Sequence, residues 1–323
     1  MPIFDLPLEA LRQYHGTNPR PHDFDAFWSD ALLEMRAVDP KIELIPASFQ
    51  VPGVACYDLF FTGVRGARLH AIYLKPLHVP EPHPAVLQFH GYFGSCGGWQ
   101  DKLAFTTLGY SVAALDCRGQ GGLSQDTGGV QGPTYRGHII RGLNDRPENM
   151  LMRHIFLDTA QLAGIVMKMP EIDETRVAAM GLSQGGGLTV ACAALEPRIK
   201  CLAPRCPFLS DYQRVWEMDL AKDAYEELSL FFRQFDPTHK QEVLYFTRLG
   251  YIDIQHLANR IQGYVLWALG LMDTICPPST QFAAYNKIKS QKEMVIYPDY
   301  GHENYPGFDD QAFLFFMEHL SNN

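Results

Sequence analysis

The sequence predicts an α/β fold built on a mainly parallel central sheet, with helices packed against both faces. From Ala85 onward, short apolar runs of strand length alternate with longer segments of helical periodicity, which is typical of parallel sheets covered on both sides. A glycine-rich turn at Ser183 joins one such strand to a helix of small residues. The 323 residues suffice for a large core. One large α/β domain or two smaller ones fit this length, and we expect a single domain over residues 1–323.

The N-terminal residues 1–40 are predicted to form a helical extension that precedes the sheet. A short helix is indicated at residues 8–11, and a longer one is expected to begin at residue 23. The first two strands, at residues 57–61 and 69–74, are predicted to form a hairpin because glycines lie in the short connection between them.

Strands and helices alternate through the rest of the chain. Strands are predicted at residues 85–89, 110–115, 176–180, 200–203, 263–268 and 294–297. Helices are predicted near residues 103–108, over 150–167, directly after Ser183, and over 310–320. Residues 117–147 form a long polar loop. Residues 209–260 have helical periodicity without a clear strand, so they are interpreted as a helical insertion that either roofs the active site or adds a packing layer.

Composition and charge exclude several classes of protein. The net charge is −9, so no basic footprint favours nucleic acid or an anionic membrane as a partner. No run of 18 apolar residues predicts a membrane span, and the N-terminus lacks the pattern of a signal peptide. The seven cysteines are odd in number and none forms a C-x-x-C pair. A reduced, cytoplasmic protein is therefore expected, rather than a disulfide framework or a zinc site.

The segment Gly181-Leu182-Ser183-Gln184-Gly185 carries the strongest chemical signal. A bare G-x-S-x-G pattern is weak, but here an apolar strand precedes it and a helix of small residues follows it. The glycines permit a strained turn and close helix packing, which together push the serine hydroxyl out of the turn. Ser183 is therefore a candidate nucleophile.

A serine nucleophile needs a base and an acid that orients the base, and in this type of fold they follow the serine in the order acid, then histidine. Asp273 and His302 each lie just past the end of a later strand, so the three side chains can meet at one edge of the sheet. Asp273 could instead be a turn or helix-entry aspartate. Asp299 is interpreted as a turn residue. The other histidines after Ser183 fall in helical segments, where surface or packing roles are expected: His239, His256 and His319.

The tetrahedral intermediate of acyl transfer needs hydrogen-bond donors for its oxyanion. One donor is expected to be the backbone N–H of Gln184, and the other the N–H of Tyr92 in the loop after an early strand. His90 precedes the serine in sequence and is interpreted as a packing residue. The loop that begins at Asp116 has glycines but no phosphate-binding signature, so it is expected to support the active-site loops.

Together these motifs resemble the acetyl xylan esterase and cephalosporin C deacetylase family, which is carbohydrate esterase family seven. The resemblance covers nearly the whole chain. It is carried by Arg118-Gly119-Gln120, the Ser183 turn, Gly270-Leu271-Met272-Asp273 with residues 276–280, His302-Glu303, and the segments 4–9 and 23–28. Residues 94–99 and 218–227 are less typical of the family.

The resemblance implies an α/β-hydrolase that removes acetyl groups from small sugars, such as acetylated xylo-oligosaccharides, and from cephalosporin C. It implies Ser183, Asp273 and His302 as the catalytic triad and the Tyr92 and Gln184 N–H groups as the oxyanion hole. Tyr92 and Cys276 are the implied substrate-binding residues. No metal or organic cofactor is expected. The implied assembly is a homohexamer, a trimer of dimers, in which part of the 117–147 loop is an interface element.

Two other functions remain open at the level of sequence. One is a general short-chain carboxylesterase or a peptidase with a larger acyl or amide pocket. The other is a hydrolase fold used only for binding or assembly, which the intact set of Ser183, Asp273 and His302 disfavours. The roles of Glu303, and of the loop Arg118-Gly119-Gln120 beyond structural support, are not decided by sequence.

Overall fold

A computed structural model describes residues 4–126, 129–130 and 134–321 of the chain. Within these residues the chain forms nine strands: β1 Glu43–Pro46, β2 Val54–Thr62, β3 Arg68–Pro76, β4 His83–Phe89, β5 Ser111–Leu115, β6 Ile172–Leu182, β7 Cys201–Arg205, β8 Tyr264–Gly270 and β9 Lys292–Tyr297. It also forms eleven α-helices over the same residues: α1 Leu8–Leu11, α2 Phe24–Arg36, α3 Leu103–Thr106, α4 Leu151–Met167, α5 Gln184–Leu195, α6 Tyr212–Glu217, α7 Glu226–Phe235, α8 Glu242–Leu249, α9 Ile254–Leu257, α10 Pro278–Tyr285 and α11 Phe308–Leu320.

All nine strands belong to one sheet in the order β1-β2-β3-β5-β4-β6-β7-β8-β9. The six strands from β5 to β9 in this order run parallel, whereas β1, β2 and β3 pair in antiparallel fashion at the other side. The predicted hairpin is confirmed as β2 and β3, in which Tyr57 faces Tyr73. The mainly parallel sheet with helices on both sides confirms the predicted fold class.

The core consists of two apolar layers, one on each face of the sheet. Successive residues of a buried strand point to opposite faces, so both faces of a parallel sheet must be apolar. In β6, Ala179 belongs to the layer that contacts α4 and α5, and Ala178 belongs to the layer that contacts α11. Every residue of α5 is buried, which explains why this helix is built from small residues.

The N-terminal helices pack onto the first of these layers. The Trp28 ring of α2 stacks on Phe156 of α4 with ring centroids 5.9 Å apart. Its indole N–H donates to the backbone oxygen of Tyr251 at 3.0 Å, so the buried ring leaves no polar atom unpaired. The predicted helices at residues 8–11 and from residue 23 are thus present as α1 and α2.

The two long segments identified in the sequence differ in structure. Between β7 and β8, residues 209–260 contain only helices and turns, as the periodicity predicts. Residues 117–147 contain turns and the start of a short 3-10 helix, and residues 127–128 and 131–133 of this loop lie outside the described part. None of the helices in the described ranges is long and apolar enough to cross a bilayer.

Two elements were not predicted. β1 is a short edge strand whose four residues are all exposed, so it lacks the alternation that marks a half-buried strand. α10 begins at Pro278, where no helix was predicted. Proline is favoured in the first turn of a helix because the backbone N–H groups of that turn have no partner within the helix, so the N–H that proline lacks is not missed.

Candidate active site

Ser183 lies at the sharp turn between β6 and α5, in a backbone conformation that is strained for a residue with a side chain. Its φ is 58° and its ψ is −119°. The adjacent glycines are required by close packing: a Cβ on Gly181 would lie 2.7 Å from the carbonyl oxygen of Phe89, and one on Gly185 would overlap that oxygen. The strained turn predicted from the glycine pattern is therefore present.

The backbone of Ser183 is held on both sides. Its N–H donates to the Arg205 carbonyl oxygen at 3.0 Å, and its own carbonyl oxygen accepts from the N–H of Gly187 and of Phe208, each at 3.0 Å. Among the described residues, the Ser183 hydroxyl makes no hydrogen bond, and the residue is 9% exposed. The strained conformation is thus held by main-chain hydrogen bonds and not by the hydroxyl.

Asp273 and His302 form a hydrogen-bonded pair at the ends of β8 and β9. His302 Nδ1 lies 2.8 Å from Asp273 Oδ2. The other carboxylate oxygen accepts from the N–H of Ile275 at 2.9 Å and of Cys276 at 2.7 Å. Asp273 is completely buried, so these donors replace the water that its charge would otherwise need.

The electrostatics of His302 follow from this pairing. Burial disfavours the imidazolium, but the hydrogen bond to the Asp273 carboxylate raises the pKa of His302. Burial raises the pKa of the Cys276 thiol to about 12, so this thiol is neutral near pH 7. Asp273 is the charged group that fixes Nδ1 as a hydrogen-bond donor.

Ser183 and His302 are brought to the same edge of the sheet. β6, β7, β8 and β9 are consecutive parallel neighbours, and Cys206, which directly follows β7, has its sulfur within 4.8 Å of ligand atoms of both Asp273 and His302. No hydrogen bond joins Ser183 and His302 within the described part of the chain. Such contacts are often long before substrate binds.

The two predicted oxyanion donors also lie at this edge. Gln184 is the first residue of α5, and Tyr92 lies in the loop that follows β4. Neither backbone N–H donates a hydrogen bond to any residue that the structure describes. The N-terminus of α5 adds a favourable dipole for negative charge at the same place.

The side-chain amide of Gln184 is held by the side chain of Gln120. It exchanges hydrogen bonds of 2.8 and 3.1 Å with the amide of Gln120, and both residues are fully buried. Gln120 therefore connects the loop after β5 to the start of α5.

Comparison with known proteins identifies the family. The family model described as Acetyl xylan esterase (AXE1) matches residues 1–320. The chain belongs to the acetyl xylan esterase family. Its resemblance to that family, drawn from the motifs, is confirmed, and the fold is that of the α/β-hydrolases. Members of this family are carboxylic ester hydrolases.

Solved structures and a curated relative agree with this assignment. Acetyl xylan esterase 1 from a Thermoanaerobacterium species is 61% identical with a TM-score of 0.95, covering 98% of this chain and 100% of that one. An acetyl xylan esterase from a Paenibacillus species is 33% identical with a TM-score of 0.91 and the same coverage. Acetyl esterase Axe7A of Xylanibacter ruminicola is 25% identical over 298 residues, 90% of this chain. The chain spans 64% of Axe7A, less than two thirds of its length.

In this member of the acetyl xylan esterase family, Arg118 holds a long loop by a buried ion pair. Its Nη2 and Nε lie 2.5 and 2.6 Å from the two oxygens of Asp158 in α4, and its Nη1 donates to the Val64 carbonyl oxygen at 3.2 Å. Both charged side chains are completely buried. Breaking such a pair leaves an uncompensated buried charge, so Arg118 anchors the loop that carries Gln120.

Asp116 organises the two loops next to the site. Its Oδ1 accepts from the Cys96 N–H at 2.6 Å, and its Oδ2 accepts from the Leu123 N–H at 2.9 Å. His70 lies between two carboxylates, with Nδ1 2.7 Å from Asp116 and Nε2 2.9 Å from Asp58. Both ring nitrogens must therefore donate, which makes His70 an imidazolium. Burial disfavours that charge, but the two carboxylates raise the pKa of His70.

We expect Asp116→Ala to lower the free energy of unfolding by about 3–5 kcal/mol, because it leaves a buried His70 cation without its closest partner. Although burial opposes it, hydrogen bonding to His70 lowers the pKa of Asp116 to about 2. A carboxyl group whose pKa is lowered on folding stabilises above its unfolded pKa, and this contribution is lost as the pH falls toward 2. The pKa of His70 is raised on folding, so its effect on stability depends on pH in the opposite direction. The stabilisation from His70 is fully present below about pH 6.5 and is lost only as the pH rises.

Urea denaturation at pH 5.5 and at pH 2.5 measures this loss. The difference between wild type and Asp116→Ala should shrink at the lower pH. Asp101→Asn is a control, because Asp101 is an exposed aspartate of the neighbouring segment, and it should leave the free energy of unfolding unchanged. An equal loss for both variants would contradict the role given to Asp116.

The remaining candidate residues occupy less central places. The Cys276 side chain is completely buried, and its N–H binds Asp273, so its role as a substrate contact stays a prediction. Glu303 Oε1 accepts from the Gly301 N–H at 2.9 Å, which stabilises the turn before His302. Asp299 is exposed. The ring nitrogen Nε2 of His90 accepts from the Cys117 N–H at 3.0 Å, as expected of a structural histidine.

Two groups of side chains in the described ranges have the composition of a metal site. They are His70 with Cys96 and Asp116, and Cys206 with Asp273 and His302, each with ligand atoms within 4.8 Å of one another. In both groups the histidine Nδ1 is hydrogen-bonded to the aspartate. A cation would have to displace that hydrogen bond. The hydrogen-bonded network by itself explains why these side chains lie together in each group.

Proposed function

We infer that this chain is a serine esterase that removes acetyl groups from sugars, with acetylated xylo-oligosaccharides as its substrates. The observation that carries the proposal is the strained Ser183 at the end of β6, with the Asp273–His302 pair at the ends of β8 and β9 on the same edge. Membership of the acetyl xylan esterase family supports the acetyl group and the sugar. Ser183 is only 9% exposed, which favours a small acyl group.

Each residue has one role in the proposed reaction. Ser183 Oγ attacks the ester carbonyl carbon while His302 Nε2 takes the hydroxyl proton. Asp273 keeps the other proton on Nδ1 and stabilises the imidazolium that forms. The C–O bond to the sugar then breaks, and His302 returns the proton to the sugar oxygen. This leaves an acetyl group on Ser183 and releases the sugar as an alcohol.

Water completes the cycle by the same route. His302 takes a proton from the water as its oxygen attacks the acetyl carbonyl, and the proton returns to Ser183 when acetate leaves. In both halves the negative oxygen points toward the N–H groups of Tyr92 and Gln184, which have no other partner among the described residues. A single donor of this kind contributes about 3–4 kcal/mol to the transition state.

The finer parts of the proposal rest on the family resemblance. They are deacetylation of cephalosporin C, a substrate-binding role for Tyr92 and Cys276, and a homohexamer in which part of the 117–147 loop is an interface. A single domain over residues 1–323 is also proposed, and so is a cytoplasmic location. All seven cysteines are free thiols, which supports a reducing compartment.

A panel of esters tests the function. We expect the highest kcat/KM on acetyl esters, including acetylated xylo-oligosaccharides and cephalosporin C, and a loss of at least about tenfold for octanoyl esters because each added methylene must enter a small pocket. Equal rates for acetyl and octanoyl esters would favour a general carboxylesterase, and hydrolysis of peptides would favour a peptidase. An organophosphorus reagent should label Ser183 in the folded protein. A folded protein that neither reacts nor hydrolyses any ester would be a binding protein.

A further inference from the structure

Glu227 is a buried carboxylate in the helical insertion, close to the candidate oxyanion hole. It lies in the first turn of α7 and is 2% exposed. Tyr92 donates its hydroxyl hydrogen to Glu227 Oε1 in a short hydrogen bond. Glu227 Oε2 accepts from the N–H of Ile139 at 2.8 Å and of Ile140 at 3.1 Å. No lysine, arginine or histidine side chain in the described residues pairs with this carboxylate.

Burying the Glu227 carboxylate lowers the stability of the folded protein. Burial raises the pKa of Glu227, and the donated hydrogen bonds oppose that rise. A buried charge without a counter-ion survives when neutral donors saturate its oxygens, but an apolar side chain of similar size would fill the same space more cheaply. The position of Glu227 therefore needs an explanation beyond packing.

The partners of Glu227 lie on the two segments that frame the candidate oxyanion hole. The Tyr92 hydroxyl also accepts from the His138 N–H at 3.2 Å, and the ring packs against His138 and Phe208 with centroids 5.2 and 5.3 Å apart. The N–H of Phe208 in turn donates to the Ser183 carbonyl oxygen. The tip and the face of the Tyr92 ring are thus both fixed relative to the Ser183 turn.

Fixing the ring fixes the backbone that carries it. Tyr92 has two side-chain torsions, and with the hydroxyl and the ring plane both set, its Cα and its N–H can shift little. An oxyanion donor must lie about 2.7–3.1 Å from the place where the negative charge develops, and an error near 1 Å costs about a hundredfold in rate. Among the described residues, the Tyr92 side chain makes hydrogen bonds only to Glu227 and to the His138 N–H. These two bonds are therefore the polar contacts that hold the Tyr92 side chain in place.

We propose that Glu227 is a positioning residue for the oxyanion hole, holding the Tyr92 hydroxyl so that the Tyr92 N–H points at the developing oxyanion. Because it also binds the N–H groups of Ile139 and Ile140, it joins the helical insertion, the 117–147 loop and the oxyanion loop into one unit. Glu227 acts through Tyr92 and not on the reacting atoms, because its Oε1 accepts from the Tyr92 hydroxyl. This inference rests on the proposed serine-esterase function.

Three variants test it. Glu227→Gln keeps the size but offers only one acceptor oxygen, so its NH₂ group must face either the Tyr92 hydroxyl or the two isoleucine N–H groups. Tyr92→Phe removes the hydroxyl and keeps the ring. Glu226→Gln is the matched control, because Glu226 is the half-exposed neighbour of Glu227 and pairs with Arg136 at the surface. Each variant is assayed with p-nitrophenyl acetate at 25 °C after its thermal unfolding has confirmed a folded protein.

For Glu227→Gln and Tyr92→Phe we expect kcat to fall about 10- to 100-fold with KM within about twofold, because ground-state binding does not use the oxyanion geometry. The inhibition constant of an acetyl-sized trifluoromethyl ketone should rise by a similar factor, since its adduct occupies the oxyanion hole. The double variant should be about as active as the less active of the two single variants, because both changes act on the same contact between residues 92 and 227. Glu226→Gln should behave as wild type.

A purely structural role predicts a different pattern. It would lower the unfolding temperature of Glu227→Gln while kcat and the inhibition constant stay at wild-type values, and that result would overturn the inference. Multiplicative losses in the double variant would also overturn it. Ser183→Ala separates the two levels: if Ser183→Ala keeps its activity, the proposed function itself is wrong, whereas an inactive Ser183→Ala with a fully active Glu227→Gln rejects the positioning role alone.

Discussion

Ser183→Ala is expected to lower kcat for acetyl esters by about four to six orders of magnitude, because the proposed acyl intermediate forms on the Ser183 hydroxyl. KM should change little, since the hydroxyl contributes to bond formation rather than to binding the ester. The residual rate comes from the Tyr92 and Gln184 donors acting on attack by water. Steady-state kinetics with p-nitrophenyl acetate and acetylated xylo-oligosaccharides measure the loss.

Ser183→Gly gives this experiment its control for folding. It removes the same hydroxyl, but glycine adopts a φ of 58° without the strain that a Cβ brings. We expect it to be as inactive as Ser183→Ala and more stable than that variant by about 1 kcal/mol. Loss of activity with a gain in stability would show that the inactive variants are folded. Activity retained in either variant would contradict a nucleophilic role for Ser183.

The parts of the site that could be predicted depend on local sequence. The Ser183 turn was predictable because its glycines stand next to the serine in the chain, where the contact with Phe89 leaves no room for a Cβ. Asp273 and His302 were predictable because each follows an apolar strand. In a parallel sheet the carboxyl ends of neighbouring strands meet at one edge, so position along the chain translates directly into position in space.

The parts that could not be predicted depend on contacts between distant segments. Glu227 lies 135 residues from Tyr92 in the sequence, and nothing local distinguishes it from its surface neighbour Glu226. The same is true of Asp158 in α4. Nothing in the local sequence indicates that its carboxylate lies 2.5 Å from the Arg118 guanidinium. Helical periodicity indicated that residues 209–260 form helices. It did not indicate which of their polar residues face inward, because one buried carboxylate does not alter the apolar pattern.

The two unpredicted elements have a different cause. β1 is held by its register with β2, in which Leu44 faces Leu59, and not by burial of its own residues. A four-residue edge strand without apolar alternation has no sequence signal. In α10 the two prolines carry a signal that permits either a rigid loop or a helix start. In the structure the Asp273 carboxylate binds the N–H groups of Ile275 and Cys276 in the turn just before this helix.

Asp273→Asn is expected to lower kcat by about 10⁴ at pH 7 without unfolding the protein. The Asn oxygen still accepts from the Ile275 and Cys276 N–H groups, so the turn is retained. Its NH₂ group would then face His302 Nδ1, which must become the acceptor. The imidazole proton moves to Nε2, where it blocks acceptance of the serine proton. Asp299→Asn is the matched control, because Asp299 is exposed and three residues from His302, and it should retain wild-type kinetics.

The pH profile distinguishes loss of this orientation from loss of structure. His302 acts as a base only when neutral, so kcat/KM of the wild type rises as the pH rises through the pKa of His302. Despite burial, the hydrogen bond to the Asp273 carboxylate raises that pKa. Removing the carboxylate charge should lower it, and the acid limb of the residual activity of Asp273→Asn should move to lower pH. An acid limb that stays in place, or a loss in Asp299→Asn as large as that in Asp273→Asn, would contradict Asp273 as the partner of His302.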